Sequence, residues 1–341
     1  MRLGMHPDFL QALRCPTSQE PLQVAAGAKV SNGMITEGFL TTTQGRSYPI
    51  IRGIPRFVST EHYSHSFGVE WNRWPRLQFD DQNVGRPMAG HTTRMWETIT
   101  GACDGDVRGK TIVEFGCGPG RFLDVVRRKG GKAVGIDLSL AVEAARQNFK
   151  DDPDVLIVQG DISNPPLADQ SFDGGYTIGV LHHTPKPEDG LRALARMLKP
   201  GAWAACCVYP KGEFYDYPSV RRWRKITRSL RPSLGYGPPL IYSRIAAYAL
   251  TEPLLAVRKI CRPLGEWLMQ QWLPILPIPD RRWRVLDLFD AITPEHASTH
   301  TAEEVAQWMQ TAGLDDVTQT PWCATSWKGT ARGTIAAAGV N

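Results

Sequence analysis

The sequence predicts an α/β protein: a doubly wound, Rossmann-like parallel sheet with a small β-rich N-terminal module and a helical insertion. Three observations predict it. Strand and amphipathic-helix patterns alternate from 111 to 210, the order that builds a parallel sheet with helices on both faces. A glycine-rich loop joins the first strand of that run to its first helix. The alternation lapses over 211–290 and resumes beyond it.

The elements follow in order. TIVEFG is a β-branched, apolar strand. GRFLDVVRRKG is a short helix with Phe122, Val125 and Val126 on one face. KAVGIDLS and LAVEAARQNFK give the second strand and helix; VLIVQGD gives a third strand, and FDGGYTIGVLHH contains a fourth. Pro187 opens a helix at a favoured position, with Glu188 and Asp189 in its first turn. Leu191, Leu194 and Leu198 mark its apolar face, Lys199-Pro200-Gly201 stops it, and AWAACCVY is a fifth strand. Later, Thr301 and Glu304 have capping-box spacing. Val305, Trp308 and Met309 form the apolar face of that helix, with LDDVTQTPW and GTIAAAG as candidate final strands. Residues 1–60 read as a short helix, a turn and short strands broken by Gly and Pro. Residues 61–95 read as loop and short helix, and 211–290 holds helical stretches around 218–230 and 240–272.

Composition narrows the class. The 341 residues suggest one large domain or two. No run of eighteen apolar residues occurs, so no transmembrane helix is expected. MRLGMHPDFL lacks the apolar core of a signal peptide. Seven cysteines, scattered and without a CxxC pair, argue against a disulfide framework or zinc site and suggest a reducing cytoplasm. Formal charge is +5, but 211–290 alone holds 14 Lys/Arg against 7 Asp/Glu.

The loop Val113-Glu-Phe-Gly-Cys-Gly-Pro-Gly-Arg-Phe122 carries the first chemical signal. A dinucleotide fingerprint would place its third glycine at 121. That position is Arg121, and the glycine falls at 120. No Walker Lys-Ser/Thr follows. Glu114, two residues before the first glycine, suits a cationic ligand better than a pyrophosphate. Asp137 ends the second strand 21 residues after Gly116, where an acid accepts from ribose hydroxyls. Asp161 follows the third strand, placed to accept from an adenine amino group while Ile162 packs on the ring; a turn cap is the alternative for Asp161.

VEFGCGPGRF, VGIDLS, VQGDISNPPLADQSFDGGYTIGVLHHT and ALARMLKPGA together resemble class I S-adenosylmethionine-dependent methyltransferases of the small-molecule branch. The resemblance covers 110–210 strongly and 290–341 in part. It implies a seven-stranded sheet and S-adenosyl-L-methionine as cofactor. It places Glu114, Gly116, Cys117 and Gly118 at the methionine end, Asp137 at the ribose, and Asp161 and Ile162 around the adenine. Gly179 and Val180 would lie under the sulfonium. Cys117 is read as a small residue the loop tolerates, not as a nucleophile. His182 and His183 follow the fourth strand at the carboxyl edge, where ligands bind in such sheets. They are the candidate base or substrate contacts, His183 preferred; loop residues that hold the fold are the alternative.

The remaining readings concern the acceptor. One or two of Tyr63, His65, Phe67, Trp71 and Trp74 are expected to line the site, Tyr63 and Trp71 foremost. Asp290 and His296 lie in a stretch resembling methyltransferases of glycan and secondary-metabolite pathways. Residues 9–57, with LRCPTSQEPL and GRSYPIIRGIPRFV, resemble a Trm112-like domain; Ser18 stands where metal-binding members carry a second cysteine, so zinc is not expected. The expected organisation is therefore a metal-free module at 1–60, a cofactor-binding domain at 61–210 and 291–341, and a helical lid at 211–290. Two basic-aromatic clusters in the lid, 221–225 and 281–284, could meet an anionic group, nucleic acid or a membrane surface, or be a solvated face. The expected function is methyl transfer to a small molecule, most readily on oxygen. An RNA methyltransferase is the runner-up, though Leu181-His182-His183-Thr184 stands where an N-P-P-Y type motif would be. A non-catalytic cofactor-binding partner subunit is the third reading. Peripheral membrane contact is open.

Overall fold

The computed structural model describes residues 3–59 and 63–332. An antiparallel N-terminal sheet contains β1 (Gln23–Val24), β2 (Lys29–Ser31), β3 (Met34–Thr41), β4 (Ser47–Ile51) and β5 (Ile54–Pro55). Helices α1 (His65–Arg73) and α2 (His91–Thr100) follow. The alternating run is β6 (Thr111–Phe115), α3 (Arg121–Arg128), β7 (Lys132–Asp137), α4 (Ala141–Asn148), β8 (Val155–Gln159), β9 (Phe172–Ile178), α5 (Pro187–Met197) and β10 (Leu198–Cys207). The insertion supplies α6 (Pro218–Leu234), α7 (Gly237–Ile245), a π-helical turn at Ala246–Leu250, α8 (Thr251–Ile260), α9 (Arg262–Gln271) and α10 (Arg281–Ile292). The chain returns through α11 (Ala302–Thr311), β11 (Leu314–Gln319) and β12 (Ser326–Ala331).

The main sheet has seven strands in the order β11-β12-β10-β9-β6-β7-β8. Strands β10, β9, β6, β7 and β8 pair in parallel; β12 runs antiparallel to both β10 and β11. Side chains alternate between two cores, as a pleat requires. Val113, Val134 and Leu156 face the core built with α5 and α11, whereas Ile112, Ala133 and Val155 face the core built with α2, α3 and α4. This is the doubly wound arrangement the sequence predicts. The N-terminal sheet shares the first of these cores: Met5, Leu13 and Leu40 pack in one apolar cluster with Val113 and Leu167. Its backbone joins the main domain through bridges Leu13–Leu167 and Arg56–Gln159.

Three sequence readings need correction. The Lys199-Pro200-Gly201 stop lies inside β10 as a register irregularity between Leu198 and Trp203. Residues 281–292 form α10, a helix missed because its opening three arginines and tryptophan looked like a surface cluster. Trp283 and Arg284 are buried; Trp283 Nε1 donates to Asn83 at 3.1 Å, and Arg284 pairs with Glu252 at 2.7 Å. The helical run Gly237–Ile260 is long and apolar enough to cross a membrane by length and composition, although it contains charged residues that hid it from the eighteen-residue criterion. GTIAAAG lies outside the described residues.

The capping box forms as read. Thr301 Oγ1 accepts from Glu304 N–H at 3.2 Å, and Glu304 accepts from Thr301 N–H at 2.8 Å. Thr301→Ala should therefore cost about 1 kcal/mol of stability, measured by urea denaturation, with an unchanged dependence on denaturant concentration.

Candidate active site

Every element that ends at the carboxyl edge of β6, β7, β8 and β9 contributes to one cavity. Its lining includes Glu114 near the end of β6 and Gly116, Cys117 and Gly118 after it, Asp137 at the end of β7, Asp161 and Ile162 after β8, and Gly179, Val180 and His183 after β9. Tyr63, Phe67 and Trp71 close it from the α1 side. Tyr209, Tyr215, Asp287 and Asp290 close it from beyond β10 and from the insertion.

The loop geometry explains its glycines. Gly116 has φ +75°, and a Cβ there would lie 2.4 Å from Val180 side-chain carbons. Gly120 has φ +89°, and its Cβ would meet Phe149 at 2.5 Å. The loop thus doubles back where only a residue without a side chain fits. Gly118 N–H donates to Asp137 Oδ2 at 2.9 Å, while Asp137 Oδ1 accepts from Ser139 N–H and Oγ. One carboxylate thereby fixes the loop and the turn after β7.

Glu114 is buried, with Tyr176 Oη donating to it at 3.1 Å. Burial pushes its carboxyl well above the usual range, opposed in part by that hydrogen bond and by Arg121. Cys117 is buried and its thiol is pushed up by burial and by Asp137; that environment suits packing and not nucleophilic attack. At the other end, Tyr209 Oη donates to Asp290 Oδ2 at 2.6 Å, and Gln78 Nε2 donates to Asp287 Oδ1 at 3.1 Å. Burial raises the Asp287 carboxyl to about 7, against the pull of Arg121.

The two histidines separate. His183 lines the cavity, and its Nδ1 lies 2.8 Å from the His296 carbonyl oxygen. A carbonyl only accepts, so Nδ1 carries the proton and Nε2 keeps its lone pair. Burial lowers the His183 pKa, keeping the ring neutral. His182, the other histidine singled out, does not reach the cavity: it is fully buried outside the lining, its ring tilted against Tyr209 with centroids 3.5 Å apart and its Nδ1 accepting from Tyr209 N–H. His296 reaches the site through its carbonyl; its exposed side chain packs on Tyr63. Of the five aromatics singled out, His65 and Trp74 pack instead on Tyr236 and Phe289 of the insertion. Sequence reasoning missed Arg121, Tyr209, Tyr215 and Asp287 as lining residues. The i, i+3 spacing of Asp287 and Asp290 was a usable signal, because it puts both on one face of a helix.

Residues 113–206 match the methyltransferase domain family. This segment is a class I S-adenosylmethionine-dependent methyltransferase domain. Among similar proteins, an uncharacterized 37.1 kDa protein in transposon TN4556 of Streptomyces fradiae is 33% identical over 132 residues. A ubiquinone biosynthesis O-methyltransferase of Alkalilimnicola ehrlichii is 27% identical over 144 residues. These alignments cover 35% and 41% of this chain, and 36% and 56% of the relatives' own lengths. A solved S-adenosylmethionine-dependent methyltransferase from Thermotoga maritima is 16% identical, with 80% of this chain and 100% of that chain covered at a TM-score of 0.45.

The cavity of the methyltransferase domain fits that cofactor by charge. Glu114, Asp137 and Asp161 line it together, and because burial raises the Glu114 carboxyl well above its usual range, a cation beside it favours its ionised form. Because a cation favours the ionised form of Glu114, cofactor affinity should fall as pH falls through its raised pKa. Glu114→Gln should weaken S-adenosylmethionine binding about 10- to 100-fold, the loss of one charge-assisted contact, and should flatten that pH dependence in calorimetric titrations.

Proposed function

We propose that the protein transfers the methyl group of S-adenosylmethionine to a hydroxyl oxygen of a small molecule, with His183 as general base. The observation that carries this reading is the 2.8 Å contact between His183 Nδ1 and the His296 carbonyl oxygen. Nδ1–H is fixed on the His296 carbonyl, which leaves Nε2 as a proton acceptor in the cavity that also contains the glycine loop.

In this reading Glu114 and the backbone of Gly116–Gly118 hold the methionine end, Asp137 the ribose, and Asp161 with Ile162 the adenine. Gly179 and Val180 form the floor beneath the sulfonium. The bound cofactor supplies an electrophilic methyl group. The chain's own task is to align the acceptor, exclude water and take up a proton. Alignment alone can lower a barrier by about 7–11 kcal/mol. Tyr63, Phe67 and Trp71 shield the cavity. His183 Nε2 receives the hydroxyl proton. Asp290 is held by the Tyr209 hydroxyl, which burial keeps protonated; its other oxygen can accept from an acceptor hydroxyl. The name of the Alkalilimnicola relative supports oxygen as the acceptor atom and a small molecule as the substrate class. The N-terminal sheet, sharing the core under β6, acts in this reading as a stabilising support.

His183→Gln should lower kcat about 10²- to 10⁴-fold while leaving S-adenosylmethionine affinity within about twofold by calorimetry. At saturating cofactor, the acid limb of wild-type kcat should lie below the ordinary histidine value of 6.5, because the neutral ring is the active form and burial lowers its pKa. Unchanged turnover in the variant would remove His183 from the mechanism.

A further inference from the structure

Among the described residues, ten of the fourteen large apolar side chains that remain exposed lie between 226 and 272, all in the helical insertion. They form stripes at helical spacing. Ile226, Leu230 and Leu234 recur every four residues on α6. Ile241, Ile245 and Tyr248 continue the pattern on α7 and the π-helical turn. Ile260 is 88% exposed at the end of α8, and Trp267 and Trp272 are 50% and 53% exposed at α9. These helices are neighbours: α6 packs on both α7 and α9, and α8 packs on α9.

The inward face of the same helices is anchored to α10, whose Trp283 and Asp287 in turn bond Asn83 and Gln78 outside the insertion. Tyr242, Ala246 and Leu254 share an apolar cluster with Leu288 and Ile292 of α10. Glu252 pairs with the buried Arg284, and Arg224 Nε donates to the Ala291 carbonyl. Only 28% of the most apolar window of Gly237–Ile260 is buried. That run is therefore docked along one side and outward over most of its length, the geometry of a helix lying on a surface and not of one crossing a bilayer.

Charge identifies the surface. Residues 218–272 hold 10 Lys/Arg against 2 Asp/Glu, although the whole chain is only +5. Lys225, Arg228, Arg244 and Lys259 make no ion pair with a carboxylate among the described residues and stand beside the apolar stripes. Arg222 lies over the Trp272 ring at 4.8 Å. We propose that α6–α9 form a docking face for an anionic lipid bilayer, with the apolar stripes entering the interface and the basic side chains meeting the headgroups. A second copy of the chain is disfavoured, because a two-fold contact sets a patch against itself and would oppose two strongly basic faces. Nucleic acid would use the charges but leave the aliphatic stripes in water.

The test is cosedimentation of the full chain with vesicles of phosphatidylcholine alone and of phosphatidylcholine containing about a third phosphatidylglycerol, where each basic residue adds to attraction. The expected result is at least about tenfold stronger partition to the anionic vesicles, weakened by salt, with a blue shift in tryptophan emission. Trp267→Ala/Trp272→Ala and, separately, the exposed charge reversal Lys225→Glu/Lys259→Glu should each reduce partition about tenfold or more. Both should bind S-adenosylmethionine as the parent does, which reports an intact fold. Three results would overturn the proposal: no vesicle binding, equal binding by parent and variants, or a dimer or RNA complex that the variants abolish while the parent ignores vesicles.

Discussion

The site depends on one steric constraint: the turn from β6 into α3 must fold into space already occupied by neighbouring side chains. A methyl group at Gly116 would stand 2.4 Å from Val180, and one at Gly120 would stand 2.5 Å from Phe149. With those positions bare, the loop reaches Asp137 and the floor at Gly179–Val180 in a single layer. Glu114 is then buried beneath it, and its raised carboxyl becomes the group whose ionised form a cation favours. Tightness of the loop and electrostatics of the pocket thus have the same origin.

The same constraint separates the two nucleotide readings open at the start. Gly120 is left-handed and caps α3, which makes Arg121 the first helical residue and turns it into the cavity. There it balances Glu114, Asp287 and Asp290. The arginine that displaces the third glycine of the dinucleotide pattern is therefore part of the pocket's charge balance. It also couples the cofactor end to the insertion, since Asp287 and Asp290 come from α10.

Legibility followed side-chain polarity. Strands β6–β10 were readable because their faces alternate into two apolar cores, and α11 because a capping box announces it. The candidate cofactor residues that line the cavity were readable because they sit at strand ends within a fixed order. A short helix was expected within 61–95, but the bounds of α1 were not readable: its buried residues are Ser66, Gly68 and Glu70, with Gly68 packed on Leu140, so no apolar periodicity marks it. Helix α10 was hidden for a related reason, since a buried arginine, Arg284, that binds the Ile278 carbonyl and the Glu252 carboxylate looks in sequence like part of a solvated basic patch. His182 and His183 are adjacent and chemically identical in sequence; only the contacts of β9's end, with Tyr209 on one ring and the His296 carbonyl on the other, separate them.

Amide hydrogen exchange with and without cofactor tests the central claim most directly. S-adenosylmethionine should slow exchange at residues 115–120, 137–139 and 161–163, while NAD at the same concentration should leave them unchanged. Protection by NAD in place of S-adenosylmethionine, or protection by S-adenosylmethionine confined to other segments, would contradict the account.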